Sequence, residues 1–300
     1  GVGFLYGIIK NMPEFDLTYN PDLSAFIYDN NGEIVAQLRG QENRIFADFS
    51  EMPDSLKKAF LATEDIRFYD HFGVDLKAIA RAVVANIKKG GYAQGSSTIT
   101  MQLASNAFIG HREKKMERKI QEAILAIQLE RIYTKDEIFN LYLNHINFGE
   151  GAWGVKTAAQ VYFDKQLNEL TLAESALLAG LVQRPSTYSP FRNPELATNR
   201  RNTVLSLMEK NEFISAKQVS KAKNEGFVLN ENKLRLQENY PWFTDYVIKE
   251  ASDILEDIGM DEKQIYTAGL SIYTTMDKGI QTKLEEIYND PSNFPEGVDE

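Results

Sequence analysis

The chain has 300 residues, 43% of them hydrophobic and 25% charged, the composition of a folded globular protein and not of a disordered one. Its 33 basic and 43 acidic side chains leave a net charge of −10, which argues against a nucleic-acid binder that works by neutralising phosphates. There is no cysteine, so disulfides, thiolate metal sites and cysteine nucleophiles are excluded, and the three histidines (His71, His111, His145) form no HExxH pattern.

Gly1 to Ile9 read GVGFLYGII before Lys10. A spanning helix needs about 20 apolar residues, so this stretch is either a buried N-terminal segment or the outer end of a membrane anchor. SAFIYD and EIVAQLRG then alternate apolar and polar residues around Asp29-Asn30-Asn31-Gly32, which predicts a hairpin. ENRIFADF supplies one more short strand. From Pro53 the period becomes helical. DSLKKAFLATED is a first helix, and DLKAIARAVVANIKKGG runs from an N-cap at Asp75 to a glycine stop at Gly90-Gly91. A long helix is predicted from about Glu113 to Tyr133, with Met116, Ile120, Ala123, Ile124 and Ile127 on one face. Capping boxes at Thr134/Glu137 and Thr171/Glu174 open two more helices. Pro194 and Pro241 stand at first-turn positions of two others. SIYTTMD reads as a lone strand near the end.

Some patterns lead nowhere. Gly90 and Gly95 have the spacing of a phosphate loop, but Ser96 stands where its lysine is needed. Ser55-x-x-Lys58 and Ser220-x-x-Lys223 match a bare SxxK pattern without a KTG partner, on charged helical stretches.

Three segments depart from what packing alone would choose. EDIRFYDHFGVD, from Glu64 to Asp75, sets carboxylates, an arginine and a histidine among aromatic rings, where lost solvation raises a carboxyl toward proton-transfer range. Its ordinary reading is an ion-paired helix end. QGSSTITMQLASN, from Gln94 to Asn106, puts hydroxyl residues at a helix start, which suits an anion or simple N-capping. HREKKMERKIQE, from His111 to Glu122, carries five basic residues (Arg112, Lys114, Lys115, Arg118, Lys119) against two acids before Ile120, which suits a pyrophosphate or a solvated helix face.

In this order the segments resemble the peptidoglycan glycosyltransferase family, the module of class A penicillin-binding proteins and of monofunctional transglycosylases. The resemblance covers about Asn43 to Met208 in five blocks: EDIRFYDHFGVD; GSSTITMQLASN; Arg118-Lys119-x-x-Glu122 with Ala126 and Glu130; Tyr142 to Phe163; and Leu170 to Pro194. It implies a mainly α fold, a two-lobed lysozyme-like helical domain with a small β-containing N-terminal and linker region. The implied divisions are the end of a transmembrane anchor at 1–10, a β-rich segment at 11–50, the glycosyltransferase domain at 51–228, and a linker at 229–300 leading toward a transpeptidase domain.

The implied activity is polymerisation of lipid II into β-1,4-linked glycan strands with inversion and release of undecaprenyl pyrophosphate. It would take place at the outer face of the bacterial plasma membrane, by an enzyme held there through a single-pass anchor. By motif position Glu64 is the catalytic base and Glu122 lies beside the departing pyrophosphate. Asp65, Phe68, His71, Gly95, Ser97, Thr98, Gln102, Asn106, Arg118 and Lys119 are implied substrate contacts. No cofactor is obligatory; a divalent cation, Mg or Mn, near Glu122 is an option. Implied partners are lipid II, the nascent glycan chain, a cell-wall synthesis or division complex, and the membrane. The membrane is met through the anchor and a hydrophobic small-lobe surface such as Ala107-Phe108-Ile109. A moenomycin-type phosphoglycolipid is expected to compete at the donor side. Two residues depart from the family pattern: Met101 replaces a common glutamine, and Ser105 replaces a lysine thought to hold the donor pyrophosphate, which puts phosphate binding through this block in question. The contrasting expectations are a lysozyme-like hydrolase or lytic transglycosylase, which has no use for the basic patch, and a non-catalytic scaffold.

Overall fold

The computed structural model describes residues 15–89, 97–109, 115–230 and 240–293, and among them the secondary structure is mainly helical, as expected. The chain divides into two units, one formed by Gly1–Asn20 with Phe46–Asn230, the other by Pro21–Ile45 with Glu231–Glu300.

The larger unit is organised around the helix Leu172–Leu181, in which every residue from Ala173 onward is buried. LAESALLAGL is apolar or small all round, as an interior helix must be. Its one acid is neutralised locally: Glu174 accepts from the Thr171 backbone N–H at 2.9 Å and from Lys165 Nζ at 2.8 and 2.9 Å. The helices Asp54–Glu64 and Pro194–Lys210 pack against it. The predicted start signals hold. Thr134 caps Lys135–His145 through a box with Glu137, Asp75 Oδ1 accepts the Ala78 N–H at 2.9 Å to start Leu76–Lys89, and Pro194 opens its helix. The glycine stop at Gly90-Gly91 lies outside the described residues. Asn144, fully buried, exchanges bonds with both backbone groups of Ala47 (2.8 and 2.9 Å), fixing the end of the 135–145 helix.

The long helix forms as Lys115–Ile132, but its inward face differs from the expected one. Leu125, Ala126 and Leu129 are fully buried together with Glu122, whereas Ile120, Ala123, Ile124 and Ile127 are only half-buried. Reading the face from apolar residues alone excluded Glu122, whose charge is paired inside the fold. The turn Ala104–Ile109 is a π-helix. It places Ser105 and Ile109 inside, and Ala107 and Phe108 pack against the core. Of the expected apolar surface Ala107-Phe108-Ile109, Ile109 is therefore inside, while Ala107 and Phe108 are half-buried and keep part of their area exposed. Among the described residues no helix is long and apolar enough to cross a membrane, and Gly1 to Ile9 lie outside them.

In the smaller unit the hairpin pairs Ala25–Tyr28 with Ile34–Leu38, Ala25 opposite Leu38. Asp29 Oδ1 accepts from the Asn31 and Glu33 N–H groups, and Gly32 takes φ +77°, so the turn forms where its residues predict. The strand Ser271–Tyr273 is not alone: it adds in parallel to the open edge of Ala25–Tyr28. The division into a separate N-terminal β segment and a C-terminal linker is corrected accordingly. One hydrophobic core, with Ile27, Val35, Leu38, Val247, Leu255, Ile265 and Met276, joins the two stretches. ENRIFADF contributes only a two-residue strand, Asn43–Arg44.

Candidate active site

Glu64 is the last residue of the Asp54–Glu64 helix and is half-buried. Gln102 Nε2 donates to its Oε2 at 2.9 Å, and the Tyr142 hydroxyl donates to Gln102 Oε1 at 3.2 Å. Burial pushes the Glu64 carboxyl above its ordinary value, with Asp65 adding to the rise; the Gln102 bond and the charge of Arg200 act against it. Arg200 is itself fixed. Its Nε donates to the Gly180 carbonyl at 3.2 Å, and its guanidinium lies over the Tyr188 ring. Gly180 leaves the room for this, because a Cβ there would meet Arg200 Cγ at 3.0 Å.

Asp65 turns inward beside it. Its Oδ2 is 2.9 Å from His71 Nε2 and accepts the Ile99 N–H at 3.1 Å, so it ties the loop after Glu64 to the start of the Ile99–Leu103 helix. Thr98 caps that helix, accepting from the Met101 N–H, and gives its own hydroxyl to the Gly73 carbonyl at 2.6 Å. Arg67 forks onto both carboxylate oxygens of Asp75, which closes the loop. Phe68 is wholly inside the core, with Lys135 Nζ over its ring at 4.4 Å. Its expected contact with substrate is corrected to a packing role, because the ring is unexposed.

Gly73 is where this loop meets the basic helix. At φ +82° it lies so close that a Cβ would stand 2.8 Å from both the carbonyl carbon and oxygen of Ala126. One helical turn before Ala126, Glu122 is almost closed off, its side chain 3% exposed. Its Oε1 accepts from the Ser105 hydroxyl (2.8 Å) and Arg118 Nε (3.1 Å), and its Oε2 from Lys119 Nζ (2.5 Å). Arg118 also reaches Ser105 Oγ at 2.6 Å, and Lys119 reaches Ser97 Oγ at 2.9 Å. Ser105 therefore occupies the lysine position as a hydrogen-bond link between a buried carboxylate and the Arg118 guanidinium. Asn106 faces outward, and Gly95 lies outside the described residues.

The divalent cation does not fit this donor set. Both oxygens of Glu122 already face cationic donors, and among the described residues no three His, Cys, Asp or Glu side chains gather as a metal site.

Sequence reading gave no role to Tyr142 or Arg200. A signal existed for the first: a tyrosine hydroxyl in a core needs a partner. Arg200 announces nothing locally, since its proximity to Glu64 depends on how two helices pack. Sequence reading quoted Glu130 without giving it a role. Glu130 accepts from Thr100 Oγ1 (2.6 Å) and Lys135 Nζ (2.7 Å), which anchors the Ile99–Leu103 helix from the other side.

Residues 31–209 match the Transglycosylase family. Among curated relatives, penicillin-binding protein 1A/1B of Bacillus subtilis (strain 168) is 44% identical over 286 residues, covering 92% of this chain and 30% of the relative. Penicillin-binding protein 1F of the same organism is 40% identical over 280 residues, 92% of this chain and 38% of the relative. Penicillin-binding protein 1A of Aquifex aeolicus (strain VF5) is 41% identical over 291 residues, 94% of this chain and 38% of the relative. The chain thus spans well under half the length of these relatives. With the match covering more than half of the residues, and with Glu64, Asp65, Gln102, Ser105 and Glu122 within it, the chain belongs to the transglycosylase family.

Proposed function

We propose that this chain carries a peptidoglycan glycosyltransferase activity that polymerises lipid II at the outer face of a bacterial plasma membrane. The observation that carries the reading is Glu64, a half-buried carboxyl whose proton affinity is raised by burial and whose orientation is set by Gln102. A base of that kind removes a hydroxyl proton more effectively than an ordinary solvated carboxylate.

In this reading the ionised Glu64 takes the proton of the 4-hydroxyl on the GlcNAc of one lipid II molecule. The oxygen forms a bond to C1 of the MurNAc at the reducing end of the growing chain. The bond from C1 to the pyrophosphate breaks, the electron pair leaves with undecaprenyl pyrophosphate, and the α-linked donor becomes a β-1,4 linkage. Attack on one face with departure from the other is the geometry of inversion. The leaving pyrophosphate is met by cations. Arg118 and Lys119 are 29% and 52% exposed at their side chains, while Glu122 is turned away beneath them. Glu122 acts as their anchor: it fixes two flexible cationic side chains in one place, so less ordering is needed when the phosphates arrive.

The test is incubation with lipid II. Long glycan strands are expected from the wild type and none from Glu64→Gln. Undiminished polymerisation by that variant removes Glu64 from its role, and release of muropeptides from purified sacculi in place of strand growth makes the protein a glycan-cleaving enzyme.

A further inference from the structure

The base is not held by Gln102 alone. We propose that Tyr142 is a positioning residue for the glycosyl transfer, fixing through Gln102 the hydrogen bond that keeps Glu64 in its ionised, proton-accepting form. This rests on Glu64 being the base.

An amide has a donor end and an acceptor end, and an ionised carboxylate only accepts. With Glu64 ionised, the Gln102 NH2 group must face it, as it does at 2.9 Å. The Oε1 end then points away and requires a donor. Tyr142 supplies it at 3.2 Å, from a ring that is fully buried and meets the Phe60 ring edge-on at 6.3 Å between centroids. Phe60 lies one helical turn before Glu64, so the hydroxyl is anchored beneath the same helix that presents the base. The opposite end of the tyrosine's helix is capped by Thr134, and Asn144 clamps it to Ala47 two residues on. Burial and the charges of Glu64 and Asp65 push the Tyr142 hydroxyl well up, so it keeps its proton and stays a donor.

Other groups act on Glu64 from each element around it. Arg200, on the Pro194–Lys210 helix, favours the charged form, and adjacent Asp65 disfavours it, although Asp65 is itself bound to His71 and to the Ile99 N–H. Neither touches the Gln102 amide in a way that would orient it. Without the tyrosine hydroxyl the amide has two options. It leaves Oε1 without its tyrosine donor and the amide free to rotate, or it turns and sets an acceptor against the carboxylate. Both weaken the ionised base.

The experiment measures kcat/KM for lipid II polymerisation against pH for wild type, Tyr142→Phe, Gln102→Leu and the double variant. Tyr142→Phe keeps the ring and removes only the hydroxyl. Its acid limb is expected to move to higher pH, with about a tenfold loss on the acid side, the effect of the Gln102 bond to the charged carboxylate being lost once its amide is no longer held. Rates on the alkaline plateau and KM are expected to stay near wild type. Gln102→Leu should move the limb in the same direction, and adding Tyr142→Phe to it should move it no further. An unmoved limb in Tyr142→Phe overturns the proposal, as does a shift that adds in the double variant or a loss that is uniform with pH. If Tyr142→Phe folds poorly, an unmoved limb in Gln102→Leu overturns it equally. Retained activity in Glu64→Gln removes the base itself, and the proposal with it; an inactive Glu64→Gln beside an unmoved Tyr142→Phe limb removes only the positioning role.

Discussion

Gln102 and Ser105 are three residues apart on one continuous helical run, and each holds one of the two acids: Gln102 donates to Glu64 at 2.9 Å and Ser105 to Glu122 at 2.8 Å. The acids are 58 residues apart in sequence and come from different helices, yet a single short segment fixes both. A change in the Ile99–Ile109 run is therefore felt at Glu64 and at the cationic cluster together.

Gly73 is the point where this arrangement tolerates least. Gly73→Ala introduces a Cβ at φ +82° and at 2.8 Å from the Ala126 backbone, which is part of a helix and has nowhere to go. Left-handed strain and overpacking together are expected to cost roughly 2–4 kcal/mol. Urea denaturation of the variant checks this, and a midpoint equal to wild type would mean that the loop and the basic helix are not in this contact.

Ser105→Ala should show what the serine does in place of the lysine common in the family. Its hydroxyl donates to Glu122 and accepts from Arg118, so removal leaves a buried carboxylate one donor short. A loss of about 1–2 kcal/mol in stability is expected, together with weaker binding of a moenomycin-type phosphoglycolipid as Arg118 loses its second anchor. Calorimetric titration compares the two proteins; unchanged affinity would free Arg118 from any dependence on Ser105.

Glu122→Gln keeps the shape of the side chain and one acceptor, but no longer neutralises Arg118 and Lys119. Both cations are partly solvated, so the fold is expected to persist. Turnover is expected to fall strongly, because in the proposed reaction the cations would no longer be held where the pyrophosphate departs. Circular dichroism and glycan-strand assays separate the two effects, and wild-type rates would refute the anchoring role.

What was legible in the sequence was local. Thr134, Thr171 and Asp75 each announce a helix start through residues three positions away, and Asp29 to Gly32 announce their turn, because the physics is complete within a few residues. The five motif blocks were legible by resemblance, which singled out Glu64 and Glu122 as candidates before any geometry was known. What failed depended on distant packing. The partner of Ser271–Tyr273 is a strand more than 240 residues earlier, and no periodicity points to it. The inward face of the Lys115–Ile132 helix was misjudged because a buried acid with three donors looks, in sequence, like a solvated one. Phe68 was misplaced for the converse reason, as an aromatic residue inside a motif looks like a contact surface. The influence of Arg200 on Glu64 exists only once two helices are packed.

The raised carboxyl of Glu64 has a consequence for stability that activity measurements do not see. Burial is the main cause, only partly offset by the Gln102 bond and the Arg200 charge, so the folded protein holds this proton more tightly than the unfolded chain does. As pH rises from the ordinary value of 4.5, the unfolded chain loses the proton first. Through that window the unfolded state binds fewer protons than the native one, and stability falls with pH until the folded carboxyl also ionises. Glu64→Gln has no charge to bury at any pH. It is expected to match wild type below the ordinary carboxylate range and to exceed it at pH 8, while making no glycan. Urea midpoints at pH 4 and pH 8 check the sign: a difference equal at both would assign it to packing, and a wild type more stable at pH 8 would mean that the fold favours the charged form of Glu64.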